Sequence, residues 1–173
     1  MKKKKQKDRN LQFSTTSANC ATKPTLISFN SFNNSIYDER IAQLIQNFQN
    51  LSSTSVLQDF ESPQYKAACF IIFDDPLAMT VADGRYLTER YAIFVFFYST
   101  NWFGNERVYS IPTCDYFGLS CNNEKYIQSL NYYDNSKQER TRLLSGRIPT
   151  EIGYLEHLCE FICGSYFYRK HVT

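Results

Sequence analysis

The chain has 173 residues and a formal net charge of +2, a length that suits one domain of ordinary size. The charge is unevenly placed: residues 1–9 carry a local +5 and the remainder −3, which excludes a nucleic-acid-binding surface spread over the body. No apolar run approaches the roughly 20 residues of a bilayer-spanning helix, and Gln6 to Asn19 lacks the apolar stretch of a secretory signal.

Residues 1–35 are rich in Lys, Asn, Ser and Thr without periodicity, and are expected to form a disordered tail. Its basic run, Lys2 to Arg9, has three readings: a solvated tail, a nuclear address or nucleic-acid contact, or an anchor to anionic lipid. Ile41, Leu44, Ile45 and Phe48 then recur at helical spacing and predict a helix over about Tyr37–Leu51, with Ser35 and Asp38 as a capping box. Residues 36–61 comprise this amphipathic helix and a polar link through Ser52–Ser55. Ser62-Pro63 starts a second helix, because Ser caps and Pro suits the first turn. Tyr65, Cys69 and Ile72 continue its apolar face until Asp74-Asp75-Pro76, read as a stop on a solvated edge. A further helix begins near Asp83-Gly84, with Leu87, Tyr91, Phe94, Val95 and Tyr98 at helical spacing. Phe94–Phe97 also suits a buried strand, and only the longer periodicity favours helix. Glu89-Arg90 reads as an exposed pair.

Two blocks carry the strongest signal. Leu144-Ser145-Gly146-Arg147-Ile148-Pro149-Thr150-Glu151-Ile152-Gly153-Tyr154-Leu155-Glu156-His157-Leu158 resembles the plant-type leucine-rich repeat, L-S-G-x-I-P-x-x-I-G-x-L-x-x-L. Cys114-Asp115-Tyr116-Phe117-Gly118-Leu119-Ser120-Cys121 resembles the C-x-W-x-G-V-x-C motif that closes the N-terminal cap of such proteins, with Tyr116 and Leu119 for the usual Trp and Val. Upstream, Ser62–Ala67, Asp74–Pro76, Glu89–Ala92 and Tyr98–Thr100 are similar to the helical preamble of algal leucine-rich-repeat proteins, and Trp102 stands where that family packs an aromatic residue under the cap.

The resemblance implies that Leu144, Ile148, Ile152, Leu155 and Leu158 point into a shared core, with glycine permitting turns and Pro149 fixing φ. It implies a first repeat strand at Leu130-Asn131-Tyr132-Tyr133-Asp134-Asn135 and a second with Phe161 and Cys163 inward. Leu130 and Phe161 are 31 positions apart, against about 24 in a plant-type repeat. The seven-residue excess matches the polar run Ser136–Arg142, read as a loop insertion. The two strands are then expected to pair in parallel. The resemblance also implies a disulfide between Cys114 and Cys121, with Gly118 allowing the turn.

Cys69 reads as a buried thiol, and Cys20 and Cys159 have no assignable role. His157, Cys159, Cys163 and His171 invite a zinc reading, but the repeat frame puts Cys163 in the core and no metal site is expected. No motif for nucleophilic, phosphate-binding or metal-assisted catalysis is present, so neither catalytic residues nor a cofactor are expected.

The expected fold is α+β: a disordered tail over 1–35, the amphipathic helix and linker over 36–61, a helical cap over 62–124, and an incomplete array of one to two leucine-rich repeats, a truncated solenoid, over 125–173. By resemblance the function is non-catalytic, receptor-like recognition of a protein, peptide or glycan through the concave strand face. The contacting residues would be Ser129, Asn131 and Tyr133 on the first strand and Glu160, Ile162 and Gly164 on the second. The family implies an extracellular or membrane-associated setting, although neither a signal nor a spanning segment is visible. The alternatives are a truncated fragment without independent activity, or a binder of anionic membrane or nucleic acid through the tail, with no specific nucleic acid expected as partner of the body.

Overall fold

The computed structural model describes residues 36–101, 112–116, 118–131, 146–163 and 166–169. The sequence-predicted tail, Trp102, Tyr133, Leu144, Gly164, His171 and the Ser136–Arg142 insertion lie outside them. Within the described residues the architecture is α+β. Helices α1 (Ile36–Leu51), α2 (Thr54–Gln58), α3 (Pro63–Phe73) and α4 (Arg85–Thr100) precede strands β1 (Leu119–Cys121), β2 (Ile127–Asn131), β3 (Glu160–Cys163) and β4 (Tyr166–Arg169). Among the described residues no helix is long and apolar enough to cross a membrane.

Helix α1 is amphipathic, burying Ile41, Leu44 and Phe48 on one stripe. Arg40 latches this helix to its neighbour, donating to the Ile72 carbonyl at 3.0 Å and to the Met79 carbonyl at 2.7 Å. These carbonyls lie at and beyond the C-terminal end of α3, where helix carbonyls lack intrahelical partners. The expected polar link contains α2 instead. A single turn of helix has little stability alone; buried Leu57 and the hydrogen bond from Ser62 Oγ to the Val56 carbonyl hold it in place.

Helix α3 starts where Ser62 Oγ accepts the Tyr65 N–H at 3.0 Å and Pro63 occupies the first turn, removing two of the donors a helix start leaves unpaired. Helix α4 is the centre of the molecule. Tyr91 through Phe97 are all 0% exposed, so this segment is enclosed on every side, as a helix apolar all round must be. That enclosure, over a run long enough for four turns, decides helix over strand for Phe94–Phe97. The helix ends at Asn101 in the left-handed region, φ 51° and ψ 35°, a conformation Asn tolerates better than most side chains.

Aromatic contacts join the layers. Phe48 stacks on Tyr91 and Phe70 meets Phe94, both at 4.5 Å between centroids, while Phe96 meets Phe161 edge-on at 5.8 Å and carries the helical core to the sheet.

The four strands form one sheet in the order β1-β2-β3-β4. Strands β1 and β2 make an antiparallel hairpin with Leu119 opposite Leu130 and Ser120 opposite Ser129, and Gln128 is the extra residue of a bulge. The bulge explains why Ile127 and Leu130, three apart, both face inward and are fully buried. Strand β3 pairs with β2 in parallel, Leu130 opposite Phe161. Strand β4 then turns back antiparallel along the other edge of β3. Only one parallel step is present among the described residues, and they display no stacked array.

Cys114 and Cys121 are disulfide-bonded, with Cα atoms 5.6 Å apart, and Gly118 between them has φ 82°, where a side chain is strained. Gly146 is required for a second reason. At φ 105° a Cβ there would lie 2.0 Å from the Ser99 carbonyl oxygen, so the segment entering the sheet presses its backbone onto the end of α4.

Three sequence expectations are corrected. Cys69 is disulfide-bonded rather than a free thiol. Ile148 does not join the core but is 57% exposed, whereas Leu155 is buried and Ile152 and Leu158 are half-buried against it. Glu151 takes the inward position in that segment because buried hydrogen-bond partners await it. The third correction is that Asp75, Glu89 and Arg90 are buried, not solvated.

Candidate functional site

The outer face of the sheet is assembled by strand alternation. With Leu130 and Phe161 inward, Ser129 and Asn131 on β2 and Glu160 and Ile162 on β3 turn the other way, and all four are partly exposed. The parallel register sets Ser129 beside Glu160 and Asn131 beside Ile162. Ser120 extends the first row, since it pairs with Ser129 and their hydroxyls lie 2.7 Å apart. The backbone of Arg169 continues that row opposite Glu160, and that of Phe167 continues the second opposite Ile162. The face therefore offers hydroxyl, amide, carboxylate and aliphatic groups in two adjacent rows, a mixture able to hydrogen-bond and to pack.

Four of the six expected contact residues are thus brought together; Tyr133 and Gly164 lie outside the described residues. Ser120 was missed by sequence reasoning. The signal for it was available in the cap motif, whose last three residues had to form a strand next to Ser129.

Buried charge holds this face on the helices. Arg90 donates from Nε to Asp75 Oδ2 at 2.5 Å and from Nη2 to Oδ1 at 2.9 Å, and both side chains are fully enclosed. Such a two-bond guanidinium–carboxylate fork is the strongest form of the pair. Arg90 Nη1 also donates to Thr113 Oγ1 at 3.1 Å, tying α4 to the turn that carries Cys114. One residue earlier, Glu89 Oε2 accepts the Ile127 N–H at 3.1 Å, so α4 holds the start of β2 directly. Burial pushes the Glu89 carboxyl above its ordinary value, and the Ile127 hydrogen bond, His157 and Arg85 oppose that shift.

A second network anchors the segment leading to β3. Ser52 Oγ donates to Glu151 Oε1 at 2.6 Å and takes the Tyr91 hydroxyl proton at 2.8 Å, while Gln64 Nε2 donates to the same carboxylate oxygen at 3.1 Å. Burial raises the Tyr91 phenol well above its ordinary value, so it stays a donor. Glu151 is thereby tied directly to the end of α1 and the start of α3, and through Ser52 to α4.

His157 is held by Tyr126 and Arg85. Its ring stacks on Tyr126 at 4.8 Å, and Nε2 faces Arg85 Nη1 at 2.7 Å; because arginine only donates, Nε2 is the acceptor. Arg85 also pairs with Glu156. Cys159, a free thiol, lies 3.3 Å from the His157 carbonyl. Among the described residues no cluster of His, Cys, Asp or Glu is arranged to hold a metal ion.

No known family, curated protein or solved structure matches the chain, so the site itself carries the functional argument.

Proposed function

We propose that this chain is the N-terminal cap and first repeat of a leucine-rich-repeat recognition module, and that it binds a protein, peptide or glycan, without catalysis, through the outer sheet face around Ser129, Asn131, Glu160 and Ile162. The observation that carries the reading is the parallel register of Leu130 with Phe161 directly after a hairpin fastened by Cys114–Cys121. A cap hairpin followed by a parallel step is the order in which such a solenoid begins. Strand β4 pairs along the other side of β3, which widens the sheet, and the outer face is the surface for recognition.

The reading is tested by probing the purified chain against peptide and glycan arrays alongside Asn131→Arg and Ile162→Arg. Each variant projects a long charged side chain from the face without entering the core. Ligands captured by the wild type are expected to bind at least 10-fold more weakly to both, while Gln128→Arg, on the bulge, retains them. Equal binding by all three variants contradicts the reading. If the basic run carries binding instead, deletion of residues 1–9 abolishes it, and anionic lipid or nucleic acid competes in a salt-sensitive way.

A further inference from the structure

Away from the sheet face, a cavity of about 380 Å³ lies where the N-terminal end of α4 meets the turn carrying the disulfide, within the size range of small-molecule sites. Leu77, Met79, Pro112 and Tyr86 supply its apolar lining, and three acidic residues, Asp83, Glu89 and Asp115, line it together with Lys125. Its walls are fixed in advance: Cys114 is bonded to Cys121, and Thr113 is held by Arg90.

Glu89 sets this cavity apart from a merely acidic surface. It is 2% exposed, its Oε2 is taken by the Ile127 N–H, and its Oε1 has no hydrogen-bond partner. An enclosed carboxyl oxygen without a hydrogen-bond partner is costly, and in a native structure such an atom calls for one. The neighbouring groups with charge are Arg85 and His157, which act on the same carboxyl from the N-terminus of α4 and from the segment before β3; both are already engaged with each other, and Arg85 with Glu156.

We propose that this cavity binds an organic cation, an ammonium or guanidinium group on a short apolar stem, with Glu89 Oε1 accepting a hydrogen bond from its N–H and Leu77, Met79 and Tyr86 packing the stem. The net acidity favours a cation over an anion. The apolar lining favours a stem over a hydrated ion, and so does the absence, among the described residues, of a carboxylate cluster arranged for a metal. Tyr86 adds a ring near the charge, a further source of attraction. A free amine and the side chain of a lysine or arginine in a peptide share this chemistry. The proposal is independent of the sheet-face reading.

The test is calorimetric titration of the full chain with n-butylamine and agmatine, with n-butanol and butyrate as neutral and anionic counterparts. Saturable binding of the cations is expected, at least 10-fold tighter than of either counterpart. Glu89→Gln is expected to weaken it 10-fold or more, and the exposed Glu61→Gln to leave it unchanged. If Glu89→Gln fails to fold, Asp115→Lys, an exposed substitution at the cavity wall, takes its place and is expected to weaken binding likewise. A blocked lysine tripeptide separates the sources: binding as tight as butylamine points to a peptide side chain, and exclusion of the tripeptide points to a free amine. Equal binding of butanol, indifference to both substitutions, or displacement of butylamine by millimolar magnesium or calcium would overturn the assignment.

Discussion

The helical half and the sheet half of this protein are held together by different means. In the helical half, α4 is wrapped by apolar side chains over seven consecutive fully buried residues, and even its charges are enclosed: Arg90 and Asp75 complete each other inside the core. The strands are three to five residues long, and their order depends on a disulfide, a bulge and hydrogen bonds reaching out from α4. The contrast teaches that the sheet face is positioned by the helices rather than by its own core.

The largest effect is expected from Arg90→Ala. It leaves Asp75 in the core without its cation, with the Leu77 N–H still on Oδ1, and removes the tie to Thr113, so a loss of about 3–5 kcal/mol is expected, the usual range for breaking a buried pair. Urea unfolding followed by circular dichroism measures it, and a loss under about 1 kcal/mol, the value of an exposed pair, would contradict the enclosed geometry. Gly146→Ala should act at the junction between the halves. Its Cβ collides with the Ser99 carbonyl at a positive φ, and overpacking of this kind costs about 1–3 kcal/mol. The thermal midpoint should fall, while Gly153→Ala, with open space around its Cβ, should leave it nearly unchanged.

What could be read from the sequence follows from how local each signal is. The stripe of Ile41, Leu44 and Phe48, the Ser62-Pro63 start and the period of α4 are all set within a few residues, and each element is present. The spacing of Leu130 and Phe161 is longer in range, yet it is a spacing and therefore visible. The Asp75–Arg90 fork was not, because its partners lie 15 positions apart and a charged pair after a helix most often faces water. Glu151 was hidden for the same reason: nothing near it announces Ser52 or Gln64. Ile148 was misplaced because a motif assigns inward positions by register, whereas the close approach of Gly146 to Ser99 and the burial of Glu151 set the actual path. On the outer sheet face, the family resemblance named four of the residues that lie together, and Ser120 required knowing that the cap motif ends in a paired strand.

The smallest expected effect concerns Glu89. Its carboxyl is raised by burial, so between the ordinary carboxylate value and the raised one the folded state holds a proton the unfolded chain has released. Stability from this group is therefore greatest at the acid end of that window and declines as pH rises through it. Glu89→Gln should remove the decline, so that the difference in unfolding free energy between variant and wild type grows with pH across the window and levels off above it. A difference that shrinks with rising pH would mean the carboxyl is stabilised in its charged form.

The claim that the two halves are held together by different means is tested most directly by hydrogen exchange on the Cys114→Ser, Cys121→Ser double variant. The disulfide closes a short loop, and its loss should cost about 2–3 kcal/mol, equivalent to roughly 30- to 150-fold faster exchange in a region that opens by itself. The account predicts that acceleration at the amides of Leu119, Asn131 and Phe161, with Ile71, Ala92 and Phe94 changing little. Equal acceleration in both halves, or none at the strands, would contradict it.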